Sequence, residues 1–210
     1  MTTAVADDLF EMTFDASGFS QEDLESKGGG GQVNAECFSH MLFQAPVQEK
    51  EPGKIPTVRV DMQVLAGTDE TQVGKMHFHR IYLARKERDD KGKETGKIIP
   101  LSDGSKKNLL KFFANLGLIS KEEVAGSASV RLPWERLDQF QAIVEIKNEP
   151  YDEKDKDSGE KTGKLRDSFK IPYGCNVWQV GDERMSHVPK DPDALAEFTG
   201  GAGVDDVSDI

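Results

Sequence analysis

The chain has 210 residues, of which 36% are hydrophobic and 31% charged, so it can form one domain with tails or two small domains. It contains no run of about 18 to 20 apolar residues, which a membrane-spanning helix requires. Acids occupy the amino terminus, where a secretory signal peptide needs basic residues and an apolar run, and we therefore expect a cytoplasmic protein.

The net charge of −11 is concentrated at the two ends of the sequence. Residues 1–30 contain seven acids and one lysine, and residues 191–210 contain six acids and no basic residue. The middle of the chain, residues 31–190, therefore carries a net charge of +1. An acidic overall balance consequently does not exclude a surface for nucleic acid in the middle of the chain.

This distribution predicts three segments. Residues 1–31 are expected to form an acidic, flexible amino-terminal segment, because it ends in four consecutive glycines that regular secondary structure disfavours. Residues 32–188 are expected to form the folded domain, and residues 189–210 a disordered acidic tail.

The first half of the domain has the pattern of strands. Residues 33–43 are predicted to form a strand, and residues 58–64 alternate apolar and polar side chains as a half-buried strand does. A turn at 66–74 leads to another predicted strand at 75–84. The strongly charged residues 85–97 are expected to form a mobile loop.

One helix is predicted in the middle of the chain. Ser102 or Ser105 can cap its amino terminus, and Gly117 is placed to end it. Its apolar face is formed by Leu109, Leu110, Phe112, Phe113 and Leu116.

Strands are predicted again after the helix, at 140–146, 165–173 and 176–180, with a charged loop at 150–164. In the second of these, Leu165 is expected to face the core and Arg166 the solvent.

The predicted fold is mainly β with one or two helices. Strands that do not alternate with helices exclude a doubly wound parallel sheet. A small antiparallel barrel of about five strands with one inserted helix is the description of an OB-fold, and we expect an OB-like domain. An α+β antiparallel sheet with the helix on one face is the alternative.

Two histidines, His77 and His79, share one face of the strand at 75–84. A metal site needs a third or fourth ligand, and neither His40, Cys37 nor His187 has a suitable spacing. The sequence also lacks the nucleophile, phosphate-loop and zinc-protease motifs of common enzymes. We therefore expect no metal, no cofactor and no catalytic residue, although an enzyme using these histidines with a metal remains an alternative.

Basic residues and aromatic rings are interleaved along the predicted strands. Residues 75–97 contain eight basic residues and four acids. Proteins that bind single strands combine cations for the phosphates with aromatic planes for the bases. The candidate phosphate-binding residues are Arg59, Lys75, Arg80, Arg85, Arg166 and Lys170, and the candidate stacking residues are Tyr82, Tyr173 and Trp178. The alternative is that the rings belong to the core and the charges to a solvated face.

The end of the tail combines acids with apolar side chains, which suits a basic pocket with a small apolar hole on a partner protein. The candidate partner-binding residues are Asp205, Asp206, Asp209 and Ile210. The same residues can instead fold back onto the basic strands, or form a plain disordered end.

Three stretches, "VDMQVLAGTDETQVGKMHFHRIYLA", "NLLKFFANLGL" and residues 140–180, together resemble a phage and prophage family of small OB-like proteins. Members of that family are taken for single-stranded-DNA-binding or recombination accessory proteins. The resemblance implies a non-enzymatic protein that binds single-stranded DNA during phage-type replication or recombination. It places the protein in the cytoplasm of a bacterial or phage-infected host cell.

The resemblance also bears on partners. The acidic end of the chain is similar to the tails of bacterial single-stranded-DNA-binding proteins, which recruit partners, so we expect replication or recombination proteins to bind there. No membrane partner is expected, and an oligomer is compatible with this assignment. The alternative function is an adaptor that delivers a recombinase or helicase without binding DNA itself.

Overall fold

The computed structural model describes residues 8–25, 38–154, 159–170 and 176–197. Its strands are β1 (Thr13–Asp15), β2 (Phe38–Phe43), β3 (Val47–Glu49), β4 (Thr57–Gly67), β5 (Met76–Tyr82), β6 (Ala84–Arg88), β7 (Glu94–Pro100), β8 (Ser129–Arg131), β9 (Gln141–Glu145), β10 (Lys147–Asn148), β11 (Tyr151–Lys154), β12 (Lys161–Arg166), β13 (Phe169–Lys170) and β14 (Val177–Gln179). Its α-helices are α1 (Gln21–Glu25), α2 (Asp103–Asn115), α3 (Lys121–Gly126) and α4 (Pro192–Glu197).

The fold is mainly β and antiparallel, as predicted, but the described residues contain four α-helices where one or two were expected. Three of the four have five or six residues, too short for the 3.6-residue period to stand out in the sequence. None of the described helices is both long and apolar enough to cross a membrane.

The main sheet has six strands in the order β14-β9-β2-β4-β3, with β5 added on β4. β2 pairs with the second half of β4 and β3 with its first half, so β2 and β3 together act as one bent strand. β5 pairs with the same residues of β4 as β3 does and therefore lies along the other edge. β4 is thus enclosed on both sides.

The predicted helix is confirmed as α2. The Ser102 side chain accepts a hydrogen bond from the Ser105 backbone N–H, which caps the helix at its start, and Gly117 ends it with a φ of 72°. All of the predicted apolar face is buried against one side of the main sheet, where Val58, Val60, Met62 and Val64 alternate inward. This packing forms the main core.

The prediction of charged loops at 85–97 and 150–164 is wrong for the residues of these ranges that the structure describes. Residues 84–100 form the hairpin β6–β7 with Gly92 at φ 77° in its turn, and β11 pairs with β12. Cross-strand ion pairs such as Lys86–Glu94, at 2.7 Å, support the first hairpin. Hydrophobic periodicity does not reveal such a hairpin, because most of its side chains are charged or polar on both faces.

The prediction of a flexible amino-terminal segment at 1–31 is also wrong for residues 8–25. Leu9, Phe14 and Leu24 are buried in the main core, and β1 pairs with β8. The acids of this segment remain at the surface beside cations from elsewhere, as in the ion pair between Lys107 and Asp23 at 2.7 Å. Burial of a few apolar side chains therefore anchors a segment whose composition indicated disorder.

The prediction of a disordered tail from residue 189 is wrong for residues 189–197, which the structure describes. Pro192 occupies the first position of α4, and the Asp191 side chain accepts from the Ala194 N–H at 2.9 Å. Both are favourable helix-start signals. Residues 198–210 lie outside the described residues.

Leu165 was expected to face the core, but 74% of its surface is exposed. β12 pairs with β11 in a two-stranded sheet, and every residue of β12 is exposed, so the main core does not extend to this strand. The alternation of side chains along a strand shows which residues share a face, but it does not show whether that face is buried.

Candidate nucleic-acid interface

β4 and β5 present one continuous exposed face. Their register pairs Arg59 with Arg80, Asp61 with Phe78 and Gln63 with Met76, and side chains of directly paired residues lie on the same side of a sheet. The opposite side of β4 carries the buried core residues. We call the exposed side the open face and define it by Arg59, Asp61, Gln63, Met76, Phe78, Arg80 and Tyr82.

Three large apolar side chains on the open face are accessible. Phe78 is 64% exposed, Tyr82 53% and Met76 40%. Single exposed apolar residues are common on protein surfaces, but a group of them on one sheet face indicates a binding surface. The two rings stand on either side of Arg80, at alternate positions of one strand.

Phe78 was not among the predicted site residues. The signal for it was present, because the period of two places Phe78 on the same face as Arg80 and Tyr82, which were predicted. The neighbouring histidines point to the other side: His77 is buried and His79 half-buried. Burial lowers the pKa of both, with Lys75 also contributing at His77, so both are neutral at pH 7.

The two arginines of the open face share a carboxylate. Arg80 donates from Nε to Glu49 Oε2 at 2.8 Å, and Arg59 Nη1 lies 3.4 Å from Glu49 Oε1. Arg59 also donates to Asp61 at 2.9 Å. The hydrogen bonds from Arg80 hold the pKa of Glu49 below its ordinary range, so Glu49 is ionised at neutral pH.

A groove with a volume of about 770 Å³ opens beside the end of β5, between the β6–β7 hairpin and α2. Arg80 and Tyr82 line it and also belong to the open face, whereas His79 and Ile81 line it from the opposite side of β5. The two surfaces therefore meet at the outer edge of β5. Arg85, Lys86 and Arg88 contribute three further cations. We call this cavity the basic groove.

The cations of the basic groove differ in their partners. Lys86 pairs with Glu94 at 2.7 Å, and the other groove carboxylate, Glu87, pairs with Lys97 at 3.3 Å. Arg85 donates to the Pro100 carbonyl at 3.3 Å. Within the described ranges, neither Arg85 nor Arg88 forms an ion pair, and the groove therefore has an excess of positive charge.

The other half of this side of the sheet is covered by the carboxy-terminal segment. Leu42 pairs with Gln63, which places the alternate β2 residues Phe38 and His40 on the side of the open face. Met185 and Val188 pack there in a second apolar cluster, against Phe38 and its neighbour Ile143. The exposed part of this side is therefore limited to the open face and its margins.

Several predicted site residues lie outside the open face and the basic groove. Trp178 packs against the second cluster, where its ring meets Phe38 edge-on at 5.3 Å between centroids. Arg166 is on the separate β11–β12 hairpin and pairs with Glu153 at 2.6 Å. Lys170 lies in β13, opposite Lys147.

Lys75 is exposed and immediately precedes β5, at the opposite end of that strand from Arg85. The structure therefore brings together Arg59, Arg80, Tyr82 and Arg85 of the predicted set. The remaining predicted residues lie outside the described residues: Tyr173, Asp205, Asp206, Asp209 and Ile210.

No group of three or more potential metal ligands occurs among the residues that the structure describes. No protein-family model matches the chain, and no curated protein has significant similarity to it. The open face and the basic groove are consequently the basis for a functional assignment.

Proposed function

We propose that the protein binds single-stranded DNA, without catalysis, across the open face and the basic groove. The observation that supports this most is the placement of Phe78 and Tyr82 on either side of Arg80 on an exposed strand. Exposed rings stack on bases of any sequence, and neighbouring cations hold the phosphates between them. Duplex DNA keeps its bases paired inside, so this arrangement favours single strands.

The order of the strands supports an OB-like fold for this domain. The bent strand β2–β3, β4 and β5 follow one another as a meander, α2 follows, and β9 then returns to pair with β2 beside β14. An OB-fold is a five-stranded, partly open Greek-key barrel that binds oligonucleotides on its second and third strands. In this assignment those strands are β4 and β5, which carry the open face.

Arg59, Lys75, Arg80 and Arg85 are the phosphate-binding residues in this proposal. The ion pairs of Arg59 and Arg80 with Glu49 are partly exposed to solvent, and such pairs contribute about 0–1 kcal/mol. A DNA phosphate can therefore replace the carboxylate at little cost. Arg166 and Lys170 would add contacts only with a longer strand that extends beyond the open face and the basic groove.

The biological setting that we propose is phage-type replication or recombination in the cytoplasm of a bacterial or phage-infected cell. This part of the proposal rests on the resemblance of residues 60–84, 108–118 and 140–180 to the phage family of OB-like proteins. The tail residues Asp205, Asp206, Asp209 and Ile210 would recruit replication or recombination proteins in that setting.

The test is fluorescence anisotropy of a labelled 30-nucleotide single strand at two salt concentrations, with an unlabelled duplex as competitor. We expect binding that weakens as salt rises, because phosphate contacts dominate the affinity, and little competition by the duplex. Absence of binding at low salt, or equal competition by duplex and single strand, would refute the proposal.

A second candidate is an adaptor for a recombinase or helicase that does not contact DNA. It is favoured by the exposed apolar side chains of Val47, Met76 and Phe78, which also suit a protein partner. A pull-down that depends on these residues, from a protein without affinity for oligonucleotides, would support the adaptor.

A further inference from the structure

The basic groove has an apolar floor. Leu109 and Phe112 of α2 are buried beneath it, and the half-buried Ile81 and Leu101 lining it pack against the main core. Ile99 of β7 completes this floor. Its volume of about 770 Å³ falls within the range of roughly 300–1,000 Å³ found for small-molecule sites. Phosphates alone do not require an apolar surface of this kind.

The rim of the groove is cationic and its walls are polar. Arg85 and Arg88 supply the excess positive charge, since Glu87 and Glu94 are each engaged by a lysine. Ser105 and Asn108 line the side formed by α2. A ligand that fits must be apolar on its faces, able to form hydrogen bonds at its edges, and attached to negative charge.

We propose that the basic groove accepts one base of the bound single strand, with Arg85 and Arg88 holding the phosphates on either side of it. A nucleobase has two apolar faces and a polar edge, which match the floor and the α2 side of the groove. Arg80 and Tyr82 line both surfaces, so a strand on the open face can reach the groove around the outer edge of β5. This inference rests on the proposed DNA binding and adds a base-sized subsite to it.

The test separates the base from the phosphates. Ile99→Trp fills the groove, and Ile98→Trp on the same strand is the matched control, because Ile98 is also half-buried but does not line the groove. Each variant is titrated with two 30-unit probes: oligothymidylate, and an abasic sugar-phosphate chain of the same length. Both probes carry the same phosphates, and only the first has bases.

We expect Ile99→Trp to weaken oligothymidylate binding at least about fivefold, the lower bound for loss of one stacked base, while leaving abasic-chain binding unchanged. Ile98→Trp should alter neither. An equal effect of Ile99→Trp on both probes, or no effect on either, would refute the base subsite while leaving DNA binding intact. Failure of the unaltered protein to bind oligothymidylate would instead refute the proposed function.

Photocrosslinking of the unaltered protein provides a readout that does not depend on a variant. Oligothymidylate containing single 5-iododeoxyuridine residues should crosslink to residues of β7 and α2 that line the groove. Crosslinks confined to Phe78 and its neighbours on the open face would overturn the inference. Tight binding of a fatty acid such as laurate, without competition by DNA, would likewise assign the groove to another ligand.

Discussion

The side chain of His40 lies 2.9 Å from that of Gln141, between Nε2 and Oε1, in the interior of the protein. His40 Nδ1 accepts a hydrogen bond from the Asp191 backbone N–H at 3.1 Å, so the proton must be on Nε2, which donates to Gln141. Gln141 in turn donates to the Ala194 carbonyl at 2.7 Å. One neutral histidine thus connects β2 and β9 to the carboxy-terminal segment.

Acidification should destabilise the protein through this connection. Burial lowers the pKa of His40 below its ordinary value of 6.5, outweighing the opposing effects of Gln141 and Asp191, and Lys190 adds to the lowering. Below pH 6.5 the unfolded chain takes up a proton that folded His40 does not, so the free energy of unfolding falls as pH falls towards the folded pKa. Burial also lowers the pKa of His77 and of His79, and these two histidines therefore affect stability in the same direction.

The measurement is urea unfolding at pH 7.5 and pH 5.5. His40→Gln should be less stable than the unaltered protein at pH 7.5, by about 1–3 kcal/mol for the disrupted buried hydrogen bonds. It should also lose less stability between the two pH values. His187→Gln, at an exposed histidine, is the control for the loss of an imidazole and should cost less stability at pH 7.5. An unchanged pH dependence in His40→Gln would contradict this prediction.

The amino-terminal segment should contribute to stability despite its acidic composition. Leu9→Ala is expected to lower the free energy of unfolding by about 2–5 kcal/mol, because Leu9 is fully buried in the main core. Leu165→Ala makes the same chemical change at an exposed position and should alter stability by less than about 0.5 kcal/mol. Equal effects in thermal or urea unfolding would show that residues 8–25 are not part of the core.

Phe78→Ala should weaken DNA binding without destabilising the fold. The ring is mostly exposed, and loss of one stacked base costs about 1–3 kcal/mol, or roughly 5- to 150-fold in affinity. Val73→Ala is a suitable control, since Val73 is exposed in the turn before β5 but lies outside the open face. Anisotropy titrations of both variants, with thermal unfolding alongside, give the comparison. Equal affinities would remove Phe78 from the site.

Removing one cation at each end of β5 should weaken the binding of single-stranded DNA whatever its base sequence. Lys75→Ala combined with Arg85→Ala should lower the slope of log affinity against log salt by about 1.4, which is 0.7 for each lost phosphate contact with a single strand. Lys121→Ala combined with Arg184→Ala removes the same charge away from the open face and groove. A slope that changes equally in both double variants would indicate a general charge effect.

Glu49→Gln should strengthen DNA binding. The ionised carboxylate pairs with both arginines of the open face, and the neutral amide leaves the charge of Arg80 to a phosphate, while Arg59 keeps its ion pair with Asp61. We expect a higher affinity for the single strand at low salt in anisotropy titrations. Glu51→Gln makes the same chemical change at an exposed carboxylate that pairs with Lys54, and it is the comparison. A lower affinity in Glu49→Gln would show that the carboxylate orients the arginines for binding.

The sequence predicted secondary structure correctly where the pattern within one short segment was sufficient. Alternation at 58–64 identified β4 and both of its faces, and Ser102 and Gly117 marked the ends of α2. The anchoring of Leu9 depends on partners distant in sequence, which composition and local patterns do not encode. The basic groove likewise combines β5, a charged hairpin and α2, so its residues were only partly predicted, through Arg80, Tyr82 and Arg85.

Glu49 also affects how strongly the binding of DNA should depend on salt. In the protein without DNA, the Glu49 carboxylate balances the positive charge of Arg59 and Arg80, as dissolved anions do at other basic sites. In the proposed complex, a DNA phosphate competes with carboxylates that stay attached to the chain, so Arg59 and Arg80 bring less net positive charge to the phosphates than two unpaired arginines would. The salt dependence of binding should therefore indicate fewer phosphate contacts than the protein makes, because Glu49 and Asp61 already neutralise these two arginines.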